Sequence, residues 1–393
     1  MSGLRLQREL PNADTLFRLS RDLPDGLLFP KLEWLDWDID GAGPALPFFR
    51  LFLSPSLRCL ALYNGPDVYD LPRDQVAALA QFISVLPTSL ESLDVEFFHG
   101  QEGPIKDALS SFVCRCGPSL RSFGTIGPLS DAATLHLMQL PNLSRLRTDQ
   151  GPPQVTSTPV LQSLEQFHLW EERALPWLHF LASGGKGTLS KGSGSTTSHA
   201  PIRETLKVLD LPEGTTVDSA FLLSVVIFGN LVKLRVHGWF CADANDCSFR
   251  FTDDDMRDLA AALPNLKSLR LGTPCCLNTC KTTVASLISL SVHCPDLLLL
   301  ETHFNVQTIV GDMQGLLDGG ARHYKTKCQL RSILVGDMPL ELDSTDLQTV
   351  AMGFTVIFPH MAYLTGYAFR WRELKRQMPG VSGNFVAAEA VVP

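Results

Sequence analysis

Nowhere in its 393 residues does the chain hold ~18 uninterrupted apolar residues, the length a membrane-spanning helix needs. Its longest candidate, Phe221 to Phe228, is only long enough for a helix in a protein core. The first 30 residues carry scattered charges and prolines where a secretory signal would have an apolar stretch. The expectation is an intracellular protein, cytoplasmic or nuclear, with no membrane partner. An excess of positive charge is also missing. Lys and Arg total 33 against 41 Asp and Glu, a net charge of −8, which argues against a nucleic-acid partner. The ten cysteines form no C-x-x-C hook, so Cys275, Cys276, Cys280 and Cys294 with His293 lack the usual spacing of a zinc site. Without a secretory signal they are expected to be buried thiols instead of disulfides. No Gly-x-Ser-x-Gly elbow is present. The GGKG at 184–187 lacks the Ser or Thr and the helix that a phosphate loop requires. Neither a catalytic residue, a cofactor nor a metal is therefore expected.

What the chain does have is a recurring phrase: a small or polar residue, Leu, two variable residues, Leu, one variable residue, and a large apolar residue. It reads SLRCLAL at 56–62, SLESLDV at 89–95, TLKVLDL at 205–211 and NLKSLRL at 265–271. Its first leucines are Leu32, Leu57, Leu90, Leu120, Leu143, Leu164, Leu206, Leu231, Leu266, Leu297 and Leu330, with a degenerate copy at Met361. A period of ~30 residues is the mark of a stacked array, at or above the long end of leucine-rich repeats. The fold class expected is α/β, a leucine-rich repeat solenoid with a parallel sheet on its concave face and helices on its convex face.

Each phrase alternates and is bounded by Pro, Asn or Gly, which predicts a strand. Between phrases lie helical patterns at 73–86, 218–228, 252–263, 282–293 and 344–357. In the third of these, Thr252 is a predicted N-cap, and Asp253, Asp254 and Asp255 suit the positive end of the helix dipole. Helices end before prolines, as in LPNL at 140–143 and 263–266, and the proline is expected to open the next extended segment. Trp37 is predicted to be core, and Trp34 to cover the open end of the first repeat. The expected organisation is an N-terminal cap or remnant over 1–26, a solenoid over 27–378, and a disordered tail over 379–393. A flexible insert rich in Gly, Ser, Thr and Lys interrupts the solenoid at 183–200.

In such a phrase the residue between the last two apolar positions faces the concave surface, as does the residue just after them. Those positions give Asp36, Asp38, Ala61, Tyr63, Asp94, Glu96, His168, Trp170, Asp210, Arg235, His237, Arg270, Glu301 and His303. The series begins acidic and turns basic and aromatic. Residues 1–100 hold 14 acidic and 8 basic side chains, so a partner of that end is expected to be basic. Concave arrays are what solenoids bind with. Trp170 and Tyr63 would act as anchors, Arg235 and Arg270 as charged selectors. Any single one of these positions could equally be polar only because it meets water.

Several stretches taken together resemble the leucine-rich repeat region of the F-box-associated proteins of basidiomycete fungi. They are FPKLEWLDWDI at 29–39, FTDDDMRDLAAALPNLKSLRLG at 251–272, HCPDLLLLETHFN at 293–305, LVGDMPLE at 334–341 and IFPHMAYL at 357–364. The resemblance implies a non-catalytic module that recognises substrates for a ubiquitin ligase. Members of that family carry an F-box that docks on a Skp-type adaptor. Here LPDGLLFPKL at 23–32 runs straight into the first phrase, so a complete F-box is expected to be absent. Two alternatives stand beside this reading: a free-standing scaffold or inhibitor, and, more weakly, a repeat domain attached to an enzyme.

Overall fold

The computed structural model describes residues 3–6, 13–23, 27–38, 43–63, 72–96, 103–153, 161–170, 174–182, 202–212, 215–237, 249–271, 281–302, 304–305, 307–319, 326–334, 342–365, 374 and 376–378. The chain divides into two compact units, one of residues 1–170 with 183–202, the other of residues 171–182 with 203–393. The described residues are α/β throughout, with every strand pairing parallel, an architecture compatible with a solenoid-like repeat.

In the first unit β1 (Gly3–Leu6) leads to α1 (Ala13–Asp22), β2 (Trp34–Asp38), a 3-10 helix (Gly43–Phe52) and β3 (Cys59–Tyr63). Then come α2 (Arg73–Ser84), β4 (Ser92–Glu96), α3 (Pro104–Arg115), β5 (Ser122–Thr125), α4 (Asp131–Gln139), β6 (Arg145–Thr148) and β7 (Gln166–Leu169). Each strand pairs with the next in chain order. The second unit begins with α5 (Ala174–Ala182), and the four-residue α6 (Ile202–Thr205) leads into β8 (Val208–Leu211). It continues through α7 (Ser219–Val225), β9 (Lys233–Val236), α8 (Asp253–Ala262), β10 (Ser268–Leu271), α9 (Val284–His293) and β11 (Leu299–Glu301). Helix α10 (Ile309–Asp318), β12 (Ser332–Leu334), α11 (Ser344–Ile357) and β13 (Tyr363–Thr365) complete it. Its strands also pair in chain order. Parallel neighbours require a long crossover, and between most of these strands a helix supplies it.

The leucine phrase explains the ladder residue by residue. All eleven first leucines and Met361 are buried, as are the fourth positions from Leu35 and Leu60 through Ile333 and Leu364. A four-residue turn precedes most of these first positions, the amide of Leu57 donating to Ser54, that of Leu143 to Leu140, that of Leu266 to Leu263 and that of Leu297 to Cys294. Pro55, Pro141, Pro264 and Pro295 hold the second position of these turns, where a fixed φ is favourable. The prolines therefore shape the turn and do not open the strand, a correction to the sequence reading. The polar residue that opens the phrase has a job as well. Asn142 Nδ2 donates to Pro118 O at 2.7 Å, Ser163 Oγ to Pro141 O at 2.6 Å and Asn230 Nδ2 to Glu204 O at 2.9 Å, each joining its turn to the preceding one.

Right after the first leucine, one carbonyl of most repeats accepts two amides of the next. Glu33 O takes Arg58 N and Cys59 N at 2.8 and 3.0 Å, and Arg58 O takes Glu91 N and Ser92 N at 2.8 and 3.0 Å. Val232 O, Lys267 O, Leu298 O and Arg331 O repeat the pattern in the second unit. The sixth position departs from the sequence reading, because Thr125, Thr148 and Thr302 stand there in place of a large apolar residue and are buried. Thr125 Oγ1 accepts from Gly127 N at 3.0 Å and Thr148 Oγ1 from Gln150 N at 3.1 Å, so the hydroxyls are satisfied by the chain just beyond the strand.

Trp37 is core, edge-on to Phe49 and Phe52. Trp34 does not end the sheet, because Gly3 of β1 pairs beyond it. The stretch read as a cap thus adds a strand and a helix, α1 packing on the 3-10 helix. The insert 183–200 and the tail 379–393 lie outside the described residues. Thr252 caps α8 in a capping box with Asp255, as expected from its first-turn acids. Asp255 also accepts from Ser219 Oγ of α7 at 2.9 Å. Burial works against the Asp255 charge, but hydrogen bonds from the Thr252 amide, its hydroxyl and Ser219 outweigh it and hold the carboxyl below its usual range. Asp253 reaches the next helix, accepting Thr283 N and Thr283 Oγ1 at 2.7 Å each. First-turn acids therefore link successive helix starts.

Leu269→Ala is expected to cost ~2–5 kcal/mol, because a filled row of the core becomes a cavity. Leu223→Ala, on the outer face of α7 at 72% exposed, is expected to change stability by less than about 0.5 kcal/mol. Urea unfolding of the two variants checks the contrast.

Candidate functional site

Alternation along each strand sends the third, fifth and seventh positions of the phrase away from the helices, onto an open face. In the first unit the register aligns Asp36, Ala61, Asp94 and Gly124 with Arg147 and His168 in one row. Asp38, Tyr63 and Glu96 form the next row.

Arg147 is the hub of this face. Its guanidinium donates to Asp94 Oδ2 at 3.2 Å and to Glu96 Oε1, and its Cζ lies 4.1 Å from the centre of the Trp170 ring. The bond to Asp94 crosses two interstrand steps, roughly 10 Å. Gly124 makes the crossing possible, since a Cβ there would overlap the Asp94 carboxylate. The guanidinium is thus paired with two acids and stacked on an indole, the cation–π arrangement arginine favours. Trp170 itself is 43% exposed, so its outer surface remains free to meet solvent. Asp36 is 5% exposed and hydrogen-bonds to the Tyr63 side chain. Burial pushes the Tyr63 phenol up, and the neighbouring charges of Asp36, Asp94 and Glu96 push it further, so it stays a neutral donor. Burial also raises the Glu96 carboxyl; the Arg147 guanidinium pulls it down in part, while Asp94 adds to the rise.

In the second unit the row runs Asp210, Arg235, Arg270, Glu301. Arg235 lies 3.7 Å from Asp210 Oδ2, and Arg270 Nε lies 3.7 Å from Glu301 Oε2. His237 Nε2 is 2.8 Å from Asp210 Oδ1. An ionised carboxylate only accepts, so this Nε2 carries a proton. Burial raises the Glu301 carboxyl above its usual range, against the pull of Arg270, Arg235 and His237 in that order.

The structure therefore brings Asp36, Asp38, Tyr63, Asp94, Glu96, His168 and Trp170 onto one face of the first unit, and Asp210, Arg235, His237, Arg270 and Glu301 onto one face of the second. His303 lies outside the described residues, as do Cys275, Cys276 and Cys280. Cys294 is a buried thiol, its pKa raised to about 12 by burial, with Ala260 O and Leu263 O each 3.6 Å away. The reading of a face that turns basic is refined, for Arg235 and Arg270 each stand beside an acid. The sequence reading missed Arg147, which holds the same phrase position as Arg270, and it missed Gly124. The position rule alone would have found Arg147. What the site offers chemically is ordered charge, partly desolvated and partly self-paired, beside exposed aromatic surface.

Two expectations follow from these geometries. Gly124→Ala is expected to displace the Asp94 carboxylate and cost ~1–3 kcal/mol by overpacking, read by chemical denaturation. Arg270→Gln is expected to move the Glu301 carboxyl further up, as read by carbon NMR of that carboxyl against pH. The folded state takes up this proton at higher pH than the unfolded chain. The stabilisation is therefore present below the folded pKa and declines as pH rises from the unfolded value through it, more steeply in the variant.

No family model matches the chain, and no curated protein matches it in sequence.

Proposed function

We propose that the chain is a leucine-rich repeat protein that recognises a protein partner through the open face of its sheet, without catalysis. In this reading it is the substrate-binding part of an F-box-like ubiquitin-ligase adaptor, and it contacts a Skp-type adaptor wherever an F-box accompanies it. The observation that carries the recognition reading is the division of labour within each strand. Apolar positions are spent on stacking under the helices, while the alternate positions hold charged and aromatic groups fixed to one another across strands. Fixed charge beside exposed aromatic surface suits a partner interface, where aromatic and arginine residues dominate affinity. The ligase role rests on the sequence resemblance alone.

A second reading, a scaffold or inhibitor with no ligase link, is favoured by one observation. Residues 3–6 and 13–22 join the repeat sheet and its helices and do not form a separate helical module.

Affinity purification of the tagged protein separates the two. The ligase reading expects a Skp-type adaptor to co-purify, together with a substrate that Trp170→Ala and Arg270→Ala release without loss of the adaptor. Persistent absence of the adaptor sinks the ligase reading. Capture unaffected by either substitution sinks the recognition reading.

A further inference from the structure

Helix α1 carries a side that its own chain leaves open. Leu16 is fully buried, and Leu19 and Ser20 are half-buried, which fixes the side turned to the core. Phe17 points elsewhere. It is 54% exposed, the most exposed aromatic side chain among the described residues. Phe48 of the 3-10 helix braces its ring edge-on at 6.4 Å and leaves the outer surface to water.

Two opposite charges share that side. At 3.6 residues per turn, Asp14 and Arg21 both fall within about 60° of Phe17 around the helix, one before it and one after. Both are exposed, and neither has an ion-pair partner in its own chain among the described residues. They stand about 10 Å apart along the axis, too far to pair with each other. Asp14 in the first turn and Arg21 in the last suit the helix dipole. The dipole does not require them on the side of an exposed phenylalanine.

Acid, phenylalanine and base, in that order, complement themselves when the direction is reversed. A two-fold axis between residues 17 and 18 lays two copies of α1 antiparallel. Asp14 of each copy then lies level with Arg21 of the other, and the two Phe17 rings meet at the centre. The helix dipoles oppose in that arrangement, which is favourable. A partner of uniform charge meets a like charge on this side, whereas a second copy meets an opposite charge at both ends.

We propose that α1 pairs antiparallel with α1 of a second copy of the chain, through Phe17 at the centre and reciprocal Asp14–Arg21 contacts. A helix of 10 residues is about 15 Å long, so it covers less than a permanent dimer buries. The pairing is weak and reversible, with a Kd on the order of 10–100 μM. Helix α1 belongs to the helical layer, packing on the 3-10 helix that itself packs on α2. Pairing there leaves the open face of the first unit's sheet uncovered, so dimerisation stands or falls apart from the recognition reading.

Sedimentation equilibrium of the full chain between about 1 and 200 μM, a range that brackets this Kd, tests it. The mass is expected to rise from monomer towards dimer across the range. Phe17→Asp is expected to leave a monomer throughout; circular dichroism checks that the variant is folded, as its exposed position predicts. Asp14→Arg and Arg21→Asp each set like charge against like twice, by symmetry, and each is expected to weaken the dimer about tenfold. The double variant, Asp14→Arg with Arg21→Asp, restores opposite pairing at the parent's net charge. It is expected to return the affinity to within about threefold of the parent. A chain that stays monomeric across the whole range overturns the inference. So does a dimer that survives Phe17→Asp, or a double variant that dimerises no better than the single ones.

Discussion

Every strand in this protein depends on its neighbour to bury its leucines. A single repeat has three inward positions, too few to close a core alone, so the interaction that everything else rests on is the side-by-side stacking of those rows. The backbone enforces the same dependence. In most repeats one carbonyl after the first leucine accepts two amides of the next, and in several the polar residue before that leucine donates to the turn behind it. Register is then set twice, by side-chain volume and by hydrogen bonds. A slip of one residue would put the charged positions under the helices.

That register has a consequence for the opposite face. Since the core consumes one set of alternating positions, the other set is ordered by the same ladder without contributing to the core. Side chains from strands far apart in sequence come to fixed distances, as Asp94 and Arg147 do across Gly124. Charges held this way lose little entropy on meeting a partner, which is how a pre-organised surface gains affinity. Their partial desolvation, visible in the raised carboxyls of Glu96 and Glu301, means that a complementary charge meets groups that are short of water.

Much of this was legible in the chain. Positions one, four and six of the phrase announced the core, and the helices at 252–263 and 344–357 lie where capping residues and apolar spacing predicted them. The turn prolines were visible but misassigned, because proline suits both a turn's second position and an extended start. Arg147 was overlooked because Thr148 closes its phrase where an apolar residue was expected, and a buried Thr satisfied by the following turn does the same work. Gly124 and Asp253 were beyond sequence reading for a different reason. Their roles are contacts with residues 30 or so positions away, which only the stacking creates.

The central claim is that binding happens on the open face of the sheet. Site-specific photo-crosslinking tests it most directly, with a benzophenone amino acid placed at Tyr63 or Trp170 on the open face of the first unit, at His237 on the open face of the second, or at Leu223, Val292 or Met352 on the helices of the second, all of the latter exposed. The account predicts partner adducts from the open-face positions and none from the helix positions. Adducts confined to the helix positions would contradict it.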